Sequence, residues 1–183
     1  MSTLDYKAST GLSRPDYHDW PAHLKSAVPE LNPDIVVVAF GGNDAQGISN
    51  ADGSWAIGYT PASGNDDAAW TAEYGKRVGE VMDYLQEDGR VVIWVGIPNA
   101  ADPDTTARMK VQDDAVREQV AKHPGVIFID TWARFAGNNG GWAEYIVDPR
   151  DGQGKDVRGD DGFHLNETGA EILALDIAEA VKG

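Results

Sequence analysis

Ile35-Val36-Val37-Val38-Ala39-Phe40-Gly41-Gly42-Asn43-Asp44 is the stretch on which the fold turns. An unbroken apolar run, mostly β-branched, that stops at two glycines and an asparagine predicts a strand buried on both faces and ending in a tight turn. Residues 91–96 and 126–130 repeat the pattern, and residues 4–8 are a shorter strand candidate. Helical spacing fills the intervals. Residues 68–87 place Trp70, Tyr74, Val78, Val81, Met82 and Leu85 on one face and stop at Gly89. Residues 105–122 carry Met109, Val111, Val116 and Val120 and end before Pro124. Residues 168–181 carry Ile172, Leu173, Leu175, Ile177, Ala178 and Val181. Strand–helix alternation of this kind predicts an α/β protein, a parallel sheet with helices on both faces.

Two polar, Gly- and Asp-rich stretches, residues 50–67 and 137–162, read as loops. The first follows the Gly-Gly-Asn-Asp turn, and the second runs into Asp160-Asp161-Gly162-Phe163-His164-Leu165-Asn166. Parallel sheets bind ligands at the carboxyl ends of their strands, so both loops should border one crevice. No repeat, linker or second domain is visible, and residues 1–183 read as a single domain.

Composition narrows the function. A chain of 183 residues, 42% hydrophobic and with six tryptophans, buries a sizeable core. A formal charge of −15 lacks the basic footprint of a phosphate-tracking nucleic-acid binder and disfavours anionic membranes. The absence of cysteine removes disulfides, thiolate metal sites and a Cys nucleophile together. No run approaches the roughly 20 apolar residues of a membrane span. The first eleven residues lack the shape of a signal peptide.

Candidate chemistry sits in three places. Asp161, three residues before His164, can hold an imidazole base in one tautomer; the ordinary alternative is a solvated loop pair. Gly162 permits a tight turn there and Asn166 can cap the following helix. Asn43 can present an amide to a developing oxyanion, although an Asn in a strand-exit turn is common for purely local reasons. Asp44 reads as a buttress of that turn. Gly11, after the first strand candidate, can aim a backbone N–H at the same point, or be a plain turn glycine.

The order of turn Gly, Gly-Gly-Asn-Asp and Asp-x-x-His resembles three conserved blocks of the SGNH (GDSL-type) esterase family. The wording Gly-Leu-Ser-Arg-Pro-Asp, Asn-Asp-Ala-Gln-Gly and Arg-Gly-Asp-Asp-Gly-Phe-His-Leu is similar to a bacterial, extracytoplasmic subgroup of it. The resemblance covers nearly the whole chain. It implies a flavodoxin-like three-layer α/β/α sandwich and serine-dependent ester hydrolysis or O-acyl transfer. By the same motifs His164 is the base, Asp161 its orienting partner, and Gly11 and Asn43 the oxyanion donors. The family's nucleophile, a Gly-Asp-Ser on the first strand, has no counterpart here. The serines are Ser2, Ser9, Ser13, Ser26, Ser49, Ser54 and Ser63; Ser9 and Ser13 lie nearest the inferred site, in the wrong setting. The domain is therefore expected to be N-terminally incomplete. Three readings are open: a shortened gene, a strand supplied by a partner chain or second copy, or a non-catalytic descendant that binds a ligand or glycan.

The substrate expected from the resemblance is an acyl ester of a small molecule or glycan. No metal or cofactor is implied, since amide donors can hold the developing charge. A nucleotide-binding flavodoxin-like reading lacks a Gly-rich phosphate loop. The acidic residues Asp148, Asp151, Asp156, Asp160 and Asp161, and Asp52, Asp66 and Asp67, match no calcium-loop spacing and read as solvated loops. Trp55, Tyr59, Trp132, Trp142 and Tyr145 should flank the crevice as loop anchors or as rings that stack on a sugar.

Overall fold

The three Val/Ile-rich runs do pair. In the computed structural model, which describes residues 2–182, β1 (Ile35–Ala39), β4 (Val91–Val95) and β5 (Val126–Ile129) form a parallel sheet in the order β1-β4-β5. Val36 is level with Val92, and Val92 with Val126. Alternate residues of each strand therefore share a face.

One face carries Val36, Val38, Val92, Trp94, Val126 and Phe128. It is covered by α1 (Trp20–Leu31), α2 (Asp67–Gln86) and α3 (Pro103–Lys122). Helix α2 buries the stripe the spacing predicts, with Trp70 stacked on Tyr74 at 4.8 Å between ring centroids. Asp66 accepts from the N–H groups of Ala68 and Ala69, and Asp102 from that of Thr105, so each long helix starts on an aspartate cap. Helix α5 (Glu167–Lys182) packs against β5 and against β7 (Gly154–Asp156), supplying the other helical layer. Asn166 caps it by accepting from the Gly169 N–H at 3.0 Å.

The rest departs from the sequence reading in instructive ways. Both loops contain small hairpins, β2 (Ile48–Ser49) with β3 (Trp55–Ile57), and β6 (Tyr145–Val147) with β7. Helix α1 was not anticipated; it starts on the Asp19 cap and ends at Asn32 in the left-handed conformation. A one-turn helix, α4 (Thr131–Arg134), follows β5. Residues 4–8, expected as a strand, form no β-ladder among the described residues, and Leu4 and Tyr6 are exposed. A strand needs a neighbouring ladder to satisfy its backbone, and none lies beside this one.

Nor is β1 buried on both faces. Its only ladder partner among the described residues is β4, and Ile35 and Val37 are 38% and 46% exposed on the face away from α2. Val91 and Ile127 extend the same open apolar strip, and Leu175 and Val181 of α5 are also exposed. A continuous Val/Ile run signals a strand able to be covered on both sides, and here one side lies open.

The two faces should respond differently to substitution. Trp94→Ala removes a ring that is 1% exposed and should destabilise by about 3–5 kcal/mol. Val37→Thr should fall within about 0.5 kcal/mol in the isolated chain. Urea denaturation of both variants checks the contrast.

Candidate functional site

The turn after β1 is built around a buried carboxylate. Gly42–Asp44 forms one turn of 3-10 helix and turns the Asp44 side chain inward, where it is 1% exposed. Asp44 accepts from the N–H groups of Leu12 and Ser13, each at 2.9 Å, and from the Tyr74 hydroxyl at 2.8 Å. The Ser13 hydroxyl returns a bond to the Asp44 carbonyl at 2.6 Å. Burial pushes the Asp44 carboxyl above its ordinary range against the pull of these donors, and it pushes Tyr74 well up as well. A Cβ on Gly11 would lie 2.2 Å from Asp44 Oδ1, so this close approach alone requires glycine there.

The helices hold the same turn from behind. Arg77 of α2 donates to the Leu12 carbonyl at 2.9 Å and the Ser49 carbonyl at 2.7 Å. Gln112 of α3 donates to the Gly41 carbonyl at 3.1 Å and to the Tyr74 hydroxyl at 3.2 Å. Asn43 stays exposed, and its amide makes no hydrogen bond among the described residues. The Gly11 N–H likewise has no acceptor among them. Two unengaged donors thus lie on segments that Asp44 ties together.

His164 reaches this turn through its neighbour. The Phe163 ring lies over Gly42, where a Cβ would come within 2.7 Å of it, and meets the His164 ring edge-on at 4.6 Å. His164 Nδ1 is 2.6 Å from Asp161 Oδ2. The carboxylate also accepts from the N–H groups of Phe163 and His164. The His164 contact and these two N–H groups hold the Asp161 carboxyl down at about 2. A carboxylate only accepts, so it keeps the imidazole proton on Nδ1 and leaves the Nε2 lone pair free. Gly162, at φ +65°, is pinned by its carbonyl to the Ala101 N–H at 2.9 Å.

An Asp–His contact is not in itself distinctive. His23 meets Asp5 at 2.7 Å and His123 meets Asp83 at 3.1 Å. His123 is bound at both ring nitrogens, the other one 2.6 Å from the Gln119 carbonyl oxygen. Only His164 adjoins the glycine turn, bonds through Nδ1 and has its Nε2 unengaged among the described residues.

No described serine bonds to His164. Ser13 and Ser49 are fully buried, their hydroxyls engaged by the Asp44 carbonyl and by Asp16. Ser9 is exposed in a turn at φ +59°.

Beneath the 159–164 loop lies a residue that sequence reading passed over. Arg158 is 3% exposed, and its guanidinium has no carboxylate partner among the described residues. Its guanidinium donates to Asn99 Oδ1 at 3.0 Å and to the carbonyls of Phe135 at 3.2 Å, Phe163 at 3.3 Å and Ala143 at 3.3 Å. Burial lowers it to about 10. One cation thereby straps the His164 loop to three other segments. The acidic loop is exposed at Asp151, Asp160 and Asp161, as a solvated loop should be, but not at Asp148. Asp148 is fully buried, and Arg150 and Lys155 hold it well below the usual carboxylate range. No group of three His, Asp or Glu residues suited to a metal occurs among the described residues. A surface depression of about 820 Å³ runs between α2 and α3 and contains none of the site residues.

Comparison with known proteins bears on the family and the fold. A family model described as a protein of unknown function, DUF459, matches residues 2–180. The chain belongs to the DUF459 family. No curated protein matches the chain in sequence. Two solved structures share the fold. One is an alpha/beta hydrolase enzyme from the metagenome of Lake Arreo, Spain, with 18% identity, a TM-score of 0.54, and 89% of this chain and 66% of that chain covered. The other is a GDSL-like lipase from Bacteroides thetaiotaomicron, with 19% identity, a TM-score of 0.56, and 91% and 70% covered. This DUF459 chain has the fold of an SGNH (GDSL-like) hydrolase, and it spans about two thirds of each neighbour's length. No helix among its described residues is long and apolar enough to cross a membrane.

Asp44→Ala leaves three buried donors without an acceptor, at ~1–3 kcal/mol each, and should cost about 3 kcal/mol or more. Asp44→Asn, which keeps one acceptor oxygen, should cost less; urea denaturation ranks the two. For Asp161 the folded value of about 2 lies below the ordinary value of about 3.9. Its stabilising contribution is therefore present above about pH 4 and lost as pH falls through about 2. Carbon-detected NMR titration of Asp161 should show the low value, and His164→Ala should raise it.

Proposed function

We propose that this chain is an SGNH-type ester hydrolase or O-acyltransferase domain acting on an acyl ester of a small molecule or glycan. His164 is the base, Asp161 orients it, and the Gly11 N–H and the Asn43 amide receive the oxyanion. The observation that carries the reading is the Phe163 ring seated on Gly42, which sets the Asp161–His164 pair beside the turn bearing Asn43.

In this reading a hydroxyl oxygen attacks the acyl carbonyl carbon while its proton passes to His164 Nε2. The carbonyl electrons move to oxygen, where the two amide donors hold the charge. Collapse expels the alcohol, which takes the proton from His164, and leaves an acyl ester on the nucleophile. Water or an acceptor hydroxyl, deprotonated by the same imidazole, then removes the acyl group. Asp161 stays ionised throughout, consistent with its low titration.

The hydroxyl is assigned to a strand that completes the sheet beside β1, whether from another segment, a second copy or another polypeptide. The unpaired edge of β1 and the exposed Ile35 and Val37 favour this placement. The rival reading, a binding module that keeps the scaffold without turnover, draws support from the lack of any described serine at His164.

Residues 1–183 alone should show little hydrolysis of p-nitrophenyl acetate and no fluorophosphonate labelling of a single serine. Adding a strand that carries Gly-Asp-Ser, fused or in trans, should restore both. His164→Ala should then abolish hydrolysis, and Asn43→Ala should slow it by about 100- to 1,000-fold. Labelling of Ser9 in the unaltered chain overturns the assignment of the nucleophile. Failure of the completed sheet to label or hydrolyse favours the binding module.

A further inference from the structure

Two aromatic rings stand exposed beside the oxyanion turn, and the fold holds both in place. Tyr17 is 66% exposed and Trp55 is 56% exposed. The Arg14 guanidinium lies between them, 4.0 Å from the Tyr17 centroid and 5.0 Å from that of Trp55. Arg14 is fixed in turn by a two-pronged pair with Asp16, at 2.9 and 2.7 Å, and Asp16 also accepts from the Ser49 hydroxyl. The pair is mostly buried, so it anchors the rings and leaves their outer surfaces free. Trp55 rests on Gly47 as well, where a Cβ would lie 3.0 Å from its ring.

This platform is joined to the candidate site. The Ser49 N–H donates to the Ser13 carbonyl at 2.9 Å, and Arg77 grips the carbonyls of both Leu12 and Ser49. Arg14 follows Gly11 by three residues, which limits their Cα separation to about 11 Å. The rings lie a further side-chain length beyond the Arg14 backbone, so a ligand stacked on them is within a few sugar units of the Gly11 N–H.

We infer that Tyr17 and Trp55 form a stacking subsite for a neutral pyranose ring of a glycan, adjoining the acyl site. A flat aromatic ring that is exposed and rigid loses little entropy when a second flat apolar face covers it. A pyranose offers such a face in its axial C–H groups and keeps its hydroxyls at the rim. The charge of −15 repels uronates and phosphorylated sugars and leaves neutral sugars unaffected. Arg14, already paired with Asp16, has no charge to spare for an anion. The inference rests on the esterase reading for the sugar's role as acyl carrier, while the subsite itself binds without turnover.

Cellotetraose and chitotetraose, titrated into 15N-labelled protein, test it. At least one should shift the Trp55 indole N–H resonance at millimolar concentration. Trp55→Ala and Tyr17→Ala should each weaken that binding by about tenfold, the loss expected when one stacked ring is removed. Leu175→Ala, on the exposed side of α5, should leave it unchanged, and circular dichroism checks that each variant is folded. No shift with either sugar, or equal binding by Trp55→Ala, overturns the subsite. Binding that depends on Trp55 in a protein that never hydrolyses an ester sinks the esterase reading and keeps the subsite. Hydrolysis of p-nitrophenyl acetate by the completed sheet, without sugar binding, does the reverse.

Discussion

The Asp44 carboxylate holds the functional end of this molecule together. It projects out of water from the turn after β1 and accepts from the Leu12 and Ser13 N–H groups and from the Tyr74 hydroxyl of α2. A buried carboxyl without partners is costly, so the segments that satisfy it are locked to one another as a condition of folding. The requirement reaches outward. Gly11 has no side chain because the carboxylate occupies that space, and Tyr74 is oriented from below by Gln112. The two donors left over, the Gly11 N–H and the Asn43 amide, owe their positions to a residue that takes no chemical step.

A second device governs the other half of the site. Arg158 is a buried cation satisfied entirely by neutral oxygens, a strap that fixes the loop ending at His164 to the segments around Asn99, Phe135 and Ala143. Phe163 then docks that loop onto Gly42, and Asp161 sets the imidazole. The site is thus rigid in its supports and open at its surface, with His164 73% exposed along its side chain. Against that rigidity stands the edge of β1, unpaired among the described residues. An apolar, unpaired parallel strand is a surface that invites another strand, and it leads into the turn that bears Asn43.

Much of this was legible in the residues. The long helices have 3.6-residue stripes and side-chain caps, aspartate for α2 and α3 and Asn166 for α5, so all three fall within two residues of their expected bounds. The strands β1, β4 and β5 announce themselves as Val/Ile runs. The weaker elements escaped for local reasons. Helix α1 carries Pro29 in its interior, which reads as a breaker. The hairpins β2–β3 and β6–β7 are two or three residues long and buried in Gly- and Asp-rich sequence. Residues 4–8 look like a strand because strand propensity is local, whereas a strand exists only where a ladder receives it.

By itself the sequence determined the α/β class, the parallel strands and the candidate residues His164, Asp161, Asn43 and Gly11, because periodicity and short motifs are properties of neighbours along the chain. Which Asp–His contact adjoins the glycine turn was decided only in three dimensions, since His23 and His123 also meet aspartates. So was the use of Asp44, Arg77, Gln112 and Arg158 as supports, because their partners lie far away in sequence and a single residue type does not name its acceptor. The exposure of Val37 belongs to the same class. Burial depends on what the rest of the fold brings to a surface, and nothing in an apolar run specifies which of its faces will be covered.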